Sequence, residues 1–421
     1  MKIIKILSIS LLLGVSLNSC QDDKSEQGVV ESLVQPAELT GNVIPGNYIV
    51  MFKDSKMQTI NSKMSDRKFE SRLDKSQSYK AVEGQSKTQI NSMLTESRFD
   101  KSKITNYYTT NFNGISLKDI SVEELKEISK NPNVKAIYFD QLIPNPIDSV
   151  TFSENSGSTN RFDEQVLPCG IANAGNFADG VNQNLWIWII DSGVNTAHPD
   201  LNVITDSRYA VSFIGNSVED CNGHGTHVAG TAGAKNNDIG VVGVSAGAPI
   251  VPVRVFDCTG GTSSSTILAA INHVAANSVA GDVLNMSLGG GFGPNCDANS
   301  PYSVALVGLG NSGTRIALAA GNSASNAAEF APACTNGNNI FTVASMTCNE
   351  TFSSFSNYNV DIIATGSSVY STWLNGGYAT LSGTSMASPH VAGIMHARND
   401  SPATFGSVTG IDGQDIPIAV R

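Results

Sequence analysis

The sequence predicts an α/β protein: a parallel central sheet with helices on both faces, preceded by a small, separate α+β unit. Three observations carry that reading. The run Trp186-Ile187-Trp188-Ile189-Ile190 is apolar without alternation and ends on Asp191, the pattern of a strand buried on both faces. Segments 250–256, 262–278, 282–287, 302–311 and 315–319 alternate between strand-like and helix-like patterning, the rhythm of repeated βαβ units. Ahead of them, residues 47–143 spell out a β-α-β-β-α-β order of their own, the split βαβ or ferredoxin-like arrangement. A chain of 421 residues, 41% hydrophobic with 39 glycines, exceeds one typical domain and has a globular composition.

In order from the N-terminus, residues 1–20 combine Lys2 and Lys5 with an apolar run through Leu17. The run is too short for a mature membrane span and has the form of a secretory signal. Leu17-Asn18-Ser19-Cys20 resembles a bacterial lipobox, in which the cysteine is lipidated and starts the mature chain; simple cleavage and release is the alternative. Residues 21–46 read as a polar tether. Within 47–143, strands are expected at 48–53, 105–110, 114–120 and 134–139, and a helix at 87–97. A second helix starts at the capping box Ser121-Val122-Glu123-Glu124 and ends at Asn131-Pro132. Residues 144–165, with Pro144, Pro146 and a Ser/Asn/Gly tract, read as an exposed linker and processing region. Residues 166–421 make the α/β domain.

Charge is uneven. From residue 166 onward there are 6 Lys+Arg against 16 Asp+Glu, and Lys235 is the sole lysine; residues 21–165 carry 18 against 21. An acidic surface argues against nucleic acid as a partner.

The chemistry centres on Gly383-Thr384-Ser385-Met386-Ala387. A serine opening a small-residue helix sits among unpaired N–H groups at the positive end of the helix dipole, where an oxyanion can be held. Most serines there only cap the helix. This one has partners in the chain, because a serine nucleophile needs a base and the base an orienting carboxylate. Asp191 ends the buried strand, and His224 opens the segment His224-Gly225-Thr226-His227-Val228-Ala229-Gly230. A second apolar strand, 316–320, runs into Gly321-Asn322, whose amide can donate to a charged carbonyl oxygen.

Asp191-Ser192-Gly193, the His224 segment and the Ser385 block, in that order, resemble the three signature blocks of the subtilisin family of serine peptidases, nearest to its proteinase K and aqualysin branch. The resemblance covers residues 165–421. It implies a three-layer subtilisin-like fold in which Ser385 attacks, His224 shuttles the proton, Asp191 orients it and Asn322 stabilises the oxyanion, with no catalytic cofactor. It likens 47–143 to the family's inhibitory propeptide, acting in cis on a monomeric zymogen. Ser287, Leu288 and Gly289 are similar to the strand that pairs with substrate backbone, and Gly260 and Gly261 to the opposite rim, so a peptide would bind as an added strand. Ala320, with Ala319 and Gly321, would wall a roomy apolar first pocket. Asp361 resembles a family aspartate that helps bind a structural Ca²⁺.

Six cysteines besides Cys20 allow 15 connectivities. The aqualysin branch implies Cys221–Cys258; nearness in sequence pairs Cys334 with Cys348, leaving Cys169 with Cys296. A metal site at Cys221, His224 and His227 lacks a fourth ligand, and His198, His227 and His390 read as structural. The expected protein is an exported endopeptidase of broad specificity, in the bacterial envelope as a lipoprotein or secreted, with protein and peptide substrates and no membrane contact beyond a lipid anchor. The alternatives are a catalytically silent peptide-binding surface lipoprotein and an esterase.

Overall fold

The computed structural model describes residues 33–34, 42–95, 97, 99–152, 164–181, 184–291 and 298–421. Cys20, Cys296 and the tract 153–163 therefore lie outside the described residues.

The N-terminal unit pairs strands β1 (Val43–Phe52), β2 (Ile104–Tyr108), β3 (Gly114–Leu117) and β4 (Val134–Ile143) in the order β4-β1-β3-β2, all antiparallel. Helices α1 (Arg72–Met93) and α2 (Val122–Ser129) complete it, and α2 starts at the expected capping box on Ser121. α1 is far longer than the helix expected at 87–97. Its apolar residues, Leu73, Tyr79, Ala81, Val82, Ile90 and Met93, follow no helical period, so no stripe announces it, and its buried residues are Lys75, Ser78, Tyr79, Ser86 and Ile90. Its start reaches the C-terminal domain through Arg72 and Lys75, while Ile90 near its end enters the core of the N-terminal unit.

β1 is apolar on both faces because each face meets a different hydrophobic core. Val50 and Phe52 enter the core of the N-terminal unit, while Ile49 and Met51 join a core belonging mainly to the C-terminal domain. A short strand, β5 (Thr151–Phe152), follows.

The C-terminal domain carries α3 (Cys169–Asn173), β6 (Ile187–Asp191), α4 (His224–Gly233), β7 (Pro249–Arg254), β8 (Thr262–Ser263), α5 (Ser264–Asn277) and β9 (Val283–Met286). Then come α6 (Pro301–Asn311), β10 (Arg315–Ala319), β11 (Ile340–Met346), β12 (Ile362–Thr365), β13 (Val369–Thr372), β14 (Tyr378–Ser382) and α7 (Thr384–Arg398), closed by β15 (Ala403–Thr409) and β16 (Asp415–Val420). The central sheet runs β15-β16-β12-β11-β10-β9-β6-β7, parallel from β16 to β7. Alternate residues of β6 serve opposite faces: Ile187 and Ile189 pack with α4 and α7, Trp188 and Ile190 with α5 and α6. These are the expected three layers. At the far edge, the hairpin β15–β16 antiparallel pair adds two strands, joining the sheet through Ile418 opposite Ile363.

Two disulfides join described cysteines, Cys221–Cys258 and Cys169–Cys348. The second corrects the expected Cys334–Cys348 and Cys169–Cys296 pairs. β11 runs between Cys334 and Cys348, and seven extended residues span about 23 Å at ~3.3 Å each, so nearness in sequence puts these two at opposite ends of a strand. Cys348 instead meets α3, where Asn173 Nδ2 also donates to the Cys348 carbonyl at 3.1 Å. Cys334 is disulfide-bonded, its partner lying outside the described residues.

Candidate active site

The C-terminal edge of the sheet gathers Asp191, His224, Asn322 and Ser385, whereas Asp361 precedes β12 at the opposite edge. Asp191 ends β6 and His224 starts α4, both fully buried. His224 Nδ1 lies 2.8 and 3.0 Å from the two Asp191 carboxylate oxygens. Glycine makes this approach possible: a Cβ on Gly225 would run into the Gly193 carbonyl oxygen and lie 3.2 Å from Asp191 Cβ. The loop before His224 is wound around Asp220, a carboxylate the sequence did not mark. Asp220 accepts from the Asn222, Gly223 and Thr226 N–H groups at 2.9 Å each and from the Ser192 and Thr226 hydroxyls at 3.0 and 2.6 Å.

Ser385 lies in the first turn of α7 and is 4% exposed. Its hydroxyl donates to the Ser287 carbonyl at 3.3 Å, while His224 Nε2 is buried without a hydrogen-bond partner among the described residues. Serine and imidazole thus share the edge but are not bonded to each other. A second set of side chains holds the serine's backbone. Ser287 Oγ donates to the Ser385 carbonyl at 2.8 Å, Asn285 Nδ2 donates to Ser287 Oγ at 2.9 Å, and Ser388 Oγ donates to Asn285 Oδ1 at 2.8 Å.

Asn322 follows β10. Its Oδ1 accepts from the Thr384 N–H and hydroxyl at 2.8 and 2.9 Å, which turns its NH₂ toward the cleft. There Nδ2 donates to the Ser149 carbonyl at 3.0 Å. Asn357, also unmarked in the sequence, holds this loop by donating to the Ala320 carbonyl at 2.8 Å and accepting from the Ser323 and Ser325 N–H groups at 3.0 Å.

The chain's own segment 144–152 runs through the cleft. β4 pairs antiparallel with β8, Ile143 opposite Thr262, and Asn145 Nδ2 donates to the Gly260 carbonyl at 3.0 Å. A Cβ on Gly261 would collide with the Ile143 carbonyl, so a glycine is required there. Residues 146–149 then form a 3₁₀ turn, and β5 pairs with β14, Thr151 opposite Ser382. This segment therefore runs as a strand along the β8 rim and leaves extended geometry at residues 146–149. Pro144 and Pro146 have no N–H to offer a ladder. Beneath Ser149 a cavity of about 310 Å³ is lined by Ser287, Leu288, Gly289, Ala320, Phe330 and Ala333 among others, with no acidic or basic side chain among the described residues.

The remaining histidines bond to backbone. His227 Nε2 faces the Val369 and Ala379 carbonyls, His390 Nδ1 the Met386 carbonyl and His198 Nε2 the Gly377 carbonyl. Burial pushes His227 down to about 3 and His390 down to about 4, so both are neutral. Among the described residues, the one cluster of three His, Cys, Asp or Glu groups near enough to share an ion is Cys221, Asp257 and Cys258, and both sulfurs are used by the disulfide. Asp361 Oδ2 accepts from the Thr342 N–H at 2.7 Å, closing β11 against β12. One oxygen is thus engaged, whereas calcium takes six to eight.

A carboxylate–imidazole pair, a serine at a helix start and an amide donor, set along the C-terminal edge of a parallel sheet, are the parts of a serine hydrolase. Comparison with known proteins narrows the class. The subtilase family pattern (peptidase S8) matches residues 182–398 and the peptidase inhibitor I9 pattern residues 47–144. The alkaline serine exoprotease A of Vibrio alginolyticus is 39% identical over 283 residues, 66% of this chain; the chain spans 50% of that protein's length. The extracellular serine proteinase of a Thermus species is 30% identical over 392 residues, 91% of this chain and 87% of that one. The thermostable alkaline protease of Halalkalibacterium halodurans is 35% identical over 286 residues, 66% and 70% of the two chains. The chain belongs to the subtilase family: it is a subtilisin-like serine protease with an I9 propeptide.

Proposed function

We propose that this protein is an exported zymogen of a serine endopeptidase, that its first substrate is its own chain, and that the bond cut is Ser149–Val150. The observation that carries this is the Ser149 carbonyl, 3.0 Å from Asn322 Nδ2 above a cavity that Ser385 and Ser149 both line. In the reaction, the Ser385 hydroxyl turns from the Ser287 carbonyl to His224 Nε2, which takes its proton as Oγ attacks the carbonyl carbon of Ser149. Asp191 holds the imidazole through Nδ1 and stabilises the imidazolium. Asn322 Nδ2 donates to the oxygen as it becomes charged. His224 then protonates the departing Val150 amine, and water releases the acyl-enzyme by the reverse sequence.

With the propeptide gone, other proteins' chains take the same cleft. Specificity is broad with an apolar preference in the first pocket, because the described residues of the cavity wall carry no charge and contacts on the Gly260 side are to backbone. Nucleic acid is not a partner, and a membrane is met only through Cys20. A structural calcium at Asp361 would serve stability alone; an unchanged thermal midpoint in EDTA removes it.

N-terminal sequencing of the matured protein tests the proposal, with a start at Val150 expected. A start elsewhere refutes the bond. An active enzyme still joined to residues 47–143 refutes the zymogen, and failure of casein cleavage or of fluorophosphonate labelling at Ser385 refutes the enzyme.

A further inference from the structure

The propeptide also touches the C-terminal domain at a place that has no part in the cleft. Arg72, the first residue of α1, sends its guanidinium across to Asp282, the residue before β9, and so to the opposite edge of the sheet from Asp191 and Ser287. The two groups meet as a two-pronged ion pair, one nitrogen close to Oδ2 and the other 2.8 Å from Oδ1. The pair is dry: side-chain exposure is 9% for Arg72 and 0% for Asp282. The guanidinium lies over the Trp186 indole, 3.7 Å from the ring centroid, and donates to the Asn277 carbonyl at 3.3 Å.

The receiving pocket belongs wholly to the C-terminal domain. Asp282 is held by the Trp186 N–H at 2.9 Å, Trp188 Nε1 at 2.9 Å and the Val279 N–H at 3.0 Å. These three donors stay when the propeptide leaves, so a carboxylate remains fixed beside an aromatic face. A planar, weakly hydrated cation with a donor fork matches that shape, and an ammonium does not. One helical turn further along α1, Lys75 Nζ donates to the Ser278 carbonyl at 2.5 Å. Asn277 and Ser278 end α5, so both cations sit at the negative end of its dipole. At the positive end, Asp140 of β4 accepts from the Ser265 N–H at 2.9 Å and its hydroxyl at 2.5 Å. The propeptide grips α5 at each end with the charge that end attracts.

We infer that Asp282, Trp186 and Trp188 form a guanidinium-binding site on the peptidase domain, filled in the precursor by Arg72, and that this site holds the propeptide in place after the chain has been cut. It rests on the reading that the chain is cut between the two units. Removing one partner of a dry charge pair slows nothing in the approach but speeds departure.

The test uses full-length chains with Ser385→Ala and a recognition sequence for a specific protease inserted after Ser156, so that the cut does not depend on self-processing. After that cut, dissociation of the propeptide is followed by gel filtration and by Trp fluorescence. Arg72→Ala should dissociate at least about 30-fold faster than the Arg72 chain, from the ~2 kcal/mol lower bound for such truncations. Arg72→Lys should fall between, and its better-conserved charge guards against a folding defect in the alanine variant. Equal dissociation rates for Arg72 and Arg72→Ala overturn the inference. So does a lysine variant as slow as the original, because a point charge would then suffice. Loss of self-cutting in the Ser385 chain would overturn the proposed function and leave this comparison standing.

Discussion

Removing the Cys221–Cys258 bridge, by Cys221→Ser with Cys258→Ser, should cost the catalytic domain about 4 kcal/mol. The bridge joins residues 37 apart with Cα atoms 4.9 Å apart. In the chain-entropy account, closing a loop of that length removes ~13 cal/mol/K from the unfolded chain, or about 4 kcal/mol at 25 °C. For a domain of this size each kcal/mol moves the thermal midpoint by roughly 2–4 °C, so a fall of ~8–16 °C is expected. The damage should begin at one place. The loop 220–223 is tied on one side by the Asp220 hydrogen bonds. Its other side is tied by the bridge and by Arg254, whose guanidinium reaches Cys221 Sγ at 3.2 Å and Asp257 Oδ1 at 2.9 Å. With the bridge gone, amides of 220–226 should exchange faster at temperatures where β6, β9 and β10 remain protected. Differential scanning calorimetry and hydrogen exchange measure both effects. A midpoint within ~3 °C of the parent, or simultaneous loss of protection in loop and sheet, would refute the reasoning.

Ser385→Ala should accumulate as the uncut chain on a denaturing gel and lose roughly a millionfold in kcat on peptide substrates, the loss known for subtilisin itself; near-normal hydrolysis would remove Ser385 as nucleophile. Asn322→Ala should lose about 10²–10³ in kcat with KM little changed, again the subtilisin figure, whereas a change mainly in KM would make Asn322 a binding residue. Stability should fall on acidification from about pH 6.5, since His227 and His390 are held near 3 and 4 in the fold against an ordinary 6.5. The unfolded chain then binds the extra protons, so their contribution is complete above 6.5 and declines as pH drops, by ~1.4 kcal/mol per unit for each group. Burial raises the Asp200 and Asp220 carboxyls; these act in the opposite sense lower in the range. Urea midpoints at pH 7 and 5.5 check the sign, and equal midpoints would refute it.

The four residues of the candidate site were legible because each stands at a local boundary that sequence marks strongly. Asp191 and Asn322 follow uninterrupted apolar strands, and His224 and Ser385 open small-residue helices. Asp220, Asn285 and Asn357 were not legible. Asp220 gathers the N–H groups of its own loop and the Ser192 hydroxyl, Asn285 bonds the Ser287 and Ser388 hydroxyls, and Asn357 bonds the Ala320 carbonyl; a single polar residue carries no periodic signal of such partners.

The sequence by itself determined the class of fold and marked Asp191, His224, Ser385 and Asn322 as the candidate site, because burial patterns and helix starts are local properties. The tertiary structure alone decided what meets what. It bonded Cys348 to Cys169 across the fold instead of to Cys334 at the other end of a strand. It carried the start of α1 onto the peptidase domain, where Arg72 finds Asp282 from 210 residues away. It also laid Ser149 under Asn322, 173 residues apart. Partners at such separations are brought together only when the sheet and both cores close, so no stretch of sequence around either one contains the other.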